Sequence, residues 1–226
     1  MIAAPDVTLT DYGLTLECTL LACLLWRPGV RPARVRTWFA VFFGSTGLAA
    51  LLGGTFHGFF PDEQTRAGAL LWRTTLLAIG FAATAAWQAG ARVVLSRRSA
   101  RWASIAAAME LIGYGAIVIF VSQRFSIAIV NYLPAAFFLL GAFGVVYRQT
   151  RARPALLGVA GLALSFLASG IQQARIALHP VYVNHNALYH LIQAVALALI
   201  FRGAQAVCAW AATGRGVVDA PSTNDA

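Results

Sequence analysis

Seven long apolar runs follow one another along the chain, each near or above the roughly 20 residues that a helix needs to span a bilayer. Lipid offers no hydrogen-bond partners to the backbone, so continuous runs of this length are compatible only with helices. A β-barrel would instead show alternating segments of about ten residues, and no such alternation is present. The sequence therefore predicts an all-α polytopic membrane protein, a seven-transmembrane-helix bundle. The predicted spans are Thr8–Trp26, Trp38–Phe60, Ala67–Leu95, Trp102–Ser122, Phe125–Tyr147, Ala155–Leu178 and Ala187–Ala211.

Composition agrees with this class. Hydrophobic residues make up 59% of the chain and charged residues 11%, whereas charged residues are about a quarter of a soluble domain. We expect residues 1–213 to form a single seven-helix domain and residues 214–226 a disordered cytoplasmic tail. The three cysteines form no CxxC motif, which argues against a disulfide framework or a thiolate metal site.

The basic residues indicate how the bundle is oriented. All 17 are arginine. Thirteen lie near the ends of spans 1, 3, 5 and 7, and four lie at the junctions after spans 2, 4 and 6. By the positive-inside rule the N-terminus lies outside and the C-terminus in the cytoplasm, as expected in a bacterial-type inner membrane or a plasma membrane. Because the arginines are divided among loops, nucleic acid is not an expected partner. The absence of lysine excludes a retinal Schiff base.

Polar side chains inside a membrane are costly and mark functional sites. With this orientation nearly all of them fall in the outer leaflet, and they come from all seven spans. We therefore predict an outward-facing polar pocket. The candidate residues are Glu17, His57, Arg73, Glu110, Asn131, Gln172, Arg175, His185, Asn186, Tyr189, His190 and Gln193.

The start of span 7, YVNHNALYHLIQ, gives the sharpest geometry. Asn186, His190 and Gln193 are spaced to share one helical face. His185 can face the same centre only from the first helical turn or before it, and Asn184 is a plausible N-cap that would permit this. Two histidines are thereby directed at one depth.

Span 2 brings a third histidine to that depth. In GGTFHG, the spacing of Gly54 and Gly58 predicts a close helix crossing, and His57 lies within it. His57, His190 and either His185 or His179 are candidate zinc ligands, with water in a fourth position. Such a metal would lower the pKa of bound water, and Glu17 or Glu110 is the candidate catalytic proton acceptor.

The motifs GGTFHG and HNALYHLIQ, in a seven-span chain, resemble the CREST superfamily, which includes alkaline ceramidases and progestin/adiponectin receptors. The resemblance implies a zinc-dependent hydrolase acting on membrane lipid or lipid-like amides or esters. His57 matches the family's span-2 histidine and His190 the second histidine of its span-7 HxxxH motif. Gly53 stands where the family has Ser, Asn186 where it has the first His, and span 3 has no Asp.

Other functions stay open. One is a non-enzymatic receptor or sensor that binds a small or lipid-like molecule through Arg73, Asn131, Gln172, Arg175, Asn186, Tyr189 and Gln193, since arginine suits carboxylate or phosphate. Another is bis-histidine haem ligation between spans 2 and 7. A transporter is less favoured, because the spans show no paired broken helices.

Overall fold

The computed structural model describes residues 2–26, 34–179 and 181–212. Within these ranges the chain forms seven helices, each long and apolar enough to cross a membrane, which confirms the predicted helix number and class. The tail predicted at 214–226 lies outside the described residues. The helices are α1 Pro5–Leu25, α2 Arg34–Phe59, α3 Arg66–Val94, α4 Arg97–Phe120, α5 Phe125–Thr150, α6 Arg153–Gln173 and α7 His185–Ala212.

Capping residues explain several helix boundaries. Thr65 accepts a hydrogen bond from the Gly68 N–H at 3.1 Å, and α3 begins at the next residue. Ser96 caps α4 in the same way through the Ser99 N–H at 3.2 Å. Asn184 precedes α7, and its Oδ1 accepts from the N–H of Asn186 at 2.9 Å and of Ala187 at 3.0 Å. The predicted N-cap of span 7 is therefore confirmed.

Helix α6 ends five residues before the predicted end of span 6 at Leu178. Arg175 has a left-handed backbone with φ 55°, and the Ile176 N–H turns back to the Ile171 carbonyl at 3.1 Å. This pattern closes a helix by satisfying its last carbonyls. The following segment forms a short antiparallel bridge between His179 and Val183 instead of further helix.

Six helices enclose a common centre, and α4 lies outside them. In order of contact the ring runs α1, α2, α3, α5, α6, α7 and back to α1, while α4 packs mainly on α3. The chain alternates direction, so α1, α3, α5 and α7 begin at the same end of the bundle where α2 and α6 finish. We call this the α1-start end.

The crossing of α1 and α2 is close because glycines face α1. A Cβ on Gly54 would lie 2.8 Å from the Asp11 Cβ, and one on Gly58 would lie 2.7 Å from the Thr8 Oγ. The predicted Gly54–Gly58 crossing is thus confirmed. The crossing also fixes Asp11 against α2, with its Oδ2 3.7 Å from the position of a Cβ on Gly53.

The opposite half of the bundle is filled by aromatic side chains. Phe39, Phe43 and Phe143 are fully buried, and the rings of Phe39 and Phe143 stack at a centroid distance of 5.9 Å. This packing closes the centre of the ring of helices on that side, so any open volume lies toward the α1-start end.

Candidate functional site

A cavity of about 380 Å³ occupies the centre of the bundle toward the α1-start end. All six helices of the ring contribute to it, and α4 contributes nothing, so the expectation that polar groups from all seven helices converge is wrong for α4. The side chains with polar groups that line it are Asp11, Thr46, His57, Trp72, Thr75, Tyr132, Ser165, Ser169, Gln172, Gln173, Arg175, His185, Asn186, Tyr189, His190 and Gln193.

A buried carboxylate and an imidazole join α1 to α7 at this cavity. The Asp11 Oδ1 lies 3.3 Å from the His190 Nε2, with side chains 6% and 11% exposed. The other ring nitrogen, Nδ1, is 3.1 Å from the Thr10 Oγ. With Nε2–H donating to Asp11, the Nδ1 of a neutral ring accepts from the Thr10 hydroxyl, and that of an imidazolium donates to it.

This Thr10–His190–Asp11 chain has the members of a nucleophilic triad, but its geometry is that of an interhelical clamp. The Thr10 hydroxyl is also within 2.9 Å of the Asp6 carbonyl and 3.0 Å of the Val7 carbonyl, one turn earlier in α1. Thr10 is not among the residues that line the cavity. Its hydroxyl therefore orients the imidazole and does not face a bound molecule.

Asp11 is the functional candidate that the sequence did not reveal. The residue as a whole is 4% exposed, and its Oδ2 has no hydrogen-bond partner among the described residues. The signal was present, since an acidic residue stands in the fourth position of the first predicted span. Glu17 lies deeper in the same span, so depth alone favours Glu17 over Asp11.

Two other buried oxygens at the cavity resemble the Asp11 Oδ2 in lacking a partner. They are the Ser165 Oγ and the Gln172 Oε1, both on α6. In the described part of the chain, three of the four buried side-chain polar atoms without a partner thus belong to residues that line this cavity. The cavity wall is therefore polar but incompletely hydrogen-bonded.

The start of α7 has the predicted geometry. Asn186, His190 and Gln193 all line the cavity, and His185 does so from the first position of the helix. The Asn186 Oδ1 accepts from the Gln172 Nε2 at 3.1 Å, which joins α6 to α7. The preceding loop is attached to α1, because the Asn184 N–H donates to the Asp6 Oδ2 at 3.1 Å.

His57 reaches the cavity from α2 within a group of aromatic rings. Its ring lies 5.2 Å from that of Phe56 and 6.0 Å from that of Trp72, centroid to centroid. The Trp72 Nε1–H donates to the Gln123 carbonyl at 2.9 Å, which holds this part of the wall against the start of α5. The predicted convergence of His57 with His190 on one site is present.

Several predicted site residues lie elsewhere. Glu17 and Glu110 are half-buried but do not line the cavity, and neither does Asn131. With the Gln123 amide oriented so that its oxygen faces the guanidinium, Arg73 donates to that oxygen from Nε at 2.7 Å and from Nη2 at 3.0 Å. His179 accepts from the N–H groups of Val181 and Tyr182 in its own loop. Glu110 lies away from the cavity because α4 is outside the ring of helices. Glu17, Arg73 and Asn131 are on helices of the ring but on faces that do not line the cavity, and position along a span does not predict the face.

The predicted zinc ligands are His57, His185 and His190, and all three line the cavity. Both ring nitrogens of His190 already have partners, however. Across residues 2–26, 34–179 and 181–212, no group of three or more His, Cys, Asp or Glu side chains is placed to hold a metal ion. As arranged, these residues do not fit zinc, which would require His190 to exchange a partner, and the zinc site stays a prediction.

The chain belongs to a family of unknown function (DUF6962), whose model matches residues 7–209. The matched region includes every residue that lines the cavity. None of the curated proteins and none of the solved structures matches the chain. The resemblance to the CREST superfamily therefore stays a prediction.

Proposed function

We propose that this protein is a non-enzymatic membrane receptor or sensor that binds a small molecule in the cavity at the α1-start end. The observation that carries the proposal is the set of three buried, unpartnered oxygens on Asp11, Ser165 and Gln172. A buried polar group without a partner costs about 1–3 kcal/mol, and native proteins hold few of them. Their position around one cavity is best explained if a bound molecule completes their hydrogen bonds.

The rest of the wall suits such a molecule. Leu14, Ile79 and Leu133 offer apolar contacts between the polar groups. Small-molecule sites are mainly apolar with a few placed polar groups, and their volumes run from about 300 to 1,000 Å³. At about 380 Å³ the cavity suits a small ligand.

The orientation of the bundle makes this an outward-facing site. Thirteen of the arginines flank the junctions at the end of the bundle opposite to the α1-start end. By the positive-inside rule, that arginine-rich end faces the cytoplasm. The N-terminus would then be outside. A C-terminal fusion of green fluorescent protein should fluoresce, whereas a C-terminal alkaline phosphatase fusion should be inactive; the reverse result would contradict this orientation.

A hydrolase is the second candidate function, favoured by the bonded Asp11 and His190. A carboxylate that orients an imidazole is the usual arrangement of a general base. In this case His190 would accept the proton from water through Nδ1, in place of Glu17 or Glu110, and this requires Nδ1 to release the Thr10 hydroxyl. Elemental analysis separates the zinc-dependent form of this candidate from the receptor: stoichiometric zinc in protein purified without chelators supports the metal hydrolase, and zinc-free protein that retains a ligand supports the receptor.

The direct test of binding is mass spectrometry of small molecules released from purified protein. Ala49 lines the cavity, and Ala49→Leu should fill part of it. Ala116, exposed on α4, provides a matched control with the same substitution outside the ring of helices. We expect a compound released in proportion to protein from the native chain and from Ala116→Leu, and a marked loss from Ala49→Leu.

Equal recovery from Ala49→Leu and the native chain would contradict the proposal. Thermal unfolding of both variants confirms that each is folded before the comparison.

A further inference from the structure

The unpartnered atoms of the cavity indicate which chemical groups a ligand must carry. The Gln172 Oε1 can only accept hydrogen bonds, and the same is true of the Asp11 Oδ2 while Asp11 is ionised. The Ser165 hydroxyl can accept or donate. The Gln172 amide already uses its nitrogen to donate to Asn186. A complementary ligand therefore brings N–H or O–H donors, and the demand is strongest at Asp11.

The charge of the Asp11 carboxylate indicates which kind of donor the ligand carries. Among the described residues its one contact with a basic side chain is His190, whose neutral imidazole donates to Oδ1 and leaves Oδ2 free. Buried carboxylates are usually paired with a cation or neutralised by a proton, because an unpaired buried charge is costly. A bound cation would hold Asp11 in its charged form. Arg175 lines the same cavity, but its side chain is exposed, and no bond joins it to Asp11. The positive charge that would complete this site is therefore absent from its described surroundings.

The remaining wall is rich in aromatic rings, which attract cations. Rings from α2, α3, α5, α6 and α7 line the cavity, and a cation within about 6 Å of a ring centroid is stabilised by its electrons. Aromatic rings and an ionised carboxylate in the same cavity suit an organic cation, whereas Asp11 would repel a carboxylate or phosphate ligand. The rings are Phe42, Trp72, Phe125, Tyr132, Phe166 and Tyr189.

We propose that the ligand is a small organic ammonium compound whose N–H group donates to the Asp11 Oδ2, with its apolar body against the aromatic rings. This inference rests on the proposed binding function and specifies its ligand class. His190 is then a positioning residue, since it holds the carboxylate through Oδ1 and leaves Oδ2 for the ligand.

The test is a titration with three probes of similar shape and different charge: 2-phenylethylamine, 2-phenylethanol and phenylacetate. Isothermal titration calorimetry of the detergent-purified protein in phosphate buffer avoids amine buffers, which would compete. We expect the amine to bind at least tenfold more tightly than the alcohol, and phenylacetate to bind most weakly.

Two variants separate the role of Asp11 from a general charge effect. Asp11→Asn removes the charge without changing the volume and should reduce amine affinity at least tenfold, with little effect on the alcohol. Glu63→Gln removes an exposed negative charge at the same end of the bundle and should leave amine affinity unchanged. The probe preference of the native chain needs no variant, so it stands as a test even if Asp11→Asn fails to fold.

The outcomes also distinguish this inference from the proposed function. Tightest binding of phenylacetate, or equal binding of amine and alcohol, would overturn the ammonium ligand and leave a binding cavity. The same holds if no probe binds and the compound released from the native protein does not react with an amine-specific reagent. If no probe binds and no compound is released, the binding function itself is wrong.

Discussion

Removing Asp11 and His190 separately and together should reveal an energetic coupling between α1 and α7. The two side chains meet at 3.3 Å and are 6% and 11% exposed, so solvent screens their interaction weakly. A hydrogen bond to a charged group contributes about 1.5–3 kcal/mol in proteins. Measured couplings between membrane helices are smaller, averaging about 0.6 and reaching about 1.7 kcal/mol. The long contact and the membrane setting favour a coupling of about 1 kcal/mol.

Each single variant should lose more than this coupling. His190→Ala leaves the Asp11 carboxylate without its partner, while the Thr10 hydroxyl keeps the Asp6 and Val7 carbonyls as acceptors. Breaking a buried pair by removing one member costs up to about 3–5 kcal/mol. In the double variant no partner remains unpaired, so its loss should be smaller than the sum of the two single losses.

The assay is thermal unfolding of the detergent-purified native chain, Asp11→Ala, His190→Ala and the double variant. For a chain of this size, 1 kcal/mol corresponds to a change in Tm of about 2–4 °C. The double variant should therefore unfold about 2–4 °C higher than additive single effects would give. Additivity within about 0.3–0.5 kcal/mol would refute the claim that these side chains interact.

Three further predictions concern the crossing, the cap and the residues outside the cavity. Gly54→Ala should lower stability by about 1–3 kcal/mol, because the new Cβ meets the Asp11 Cβ, whereas Gly53→Ala finds ordinary contacts and should be neutral or stabilising in thermal unfolding. Asn184→Ala should cost about 1 kcal/mol by removing the α7 cap, and Asn184→Ser should restore most of it; equal losses would argue against capping. Glu17→Gln and Glu110→Gln should each leave the affinity for 2-phenylethylamine within about twofold, since neither residue lines the cavity, and a tenfold loss measured by calorimetry would show that the site extends to them.

The helices and part of the site were predictable because their signals are local. Apolar run length defined the helices to within a few residues at most boundaries, and Asn184 is a cap that can be recognised from its neighbours. The common face of Asn186, His190 and Gln193 follows from helical periodicity alone.

The remaining features depend on contacts between helices that are distant in sequence. Asp11 lies at the site because Gly54 allows α1 to approach α2 closely beside it. A local sequence pattern does not predict which residue of another helix will contact a given glycine. Glu110 is near the middle of its span, which suggested a catalytic role, but its helix α4 lies outside the ring of helices. Depth in a span therefore identified candidate residues without showing which side of the helix faces the centre.

The most direct test of the binding site is a cryo-EM map of the protein purified from its native membrane in amine-free buffer. A bound ammonium ligand should give density in the cavity beyond that of ordered water, with an atom about 2.7–2.9 Å from the Asp11 Oδ2, the distance of a charge-assisted hydrogen bond. A map that shows Asp11 and His190 in the same arrangement, with only water beside Oδ2, would contradict it.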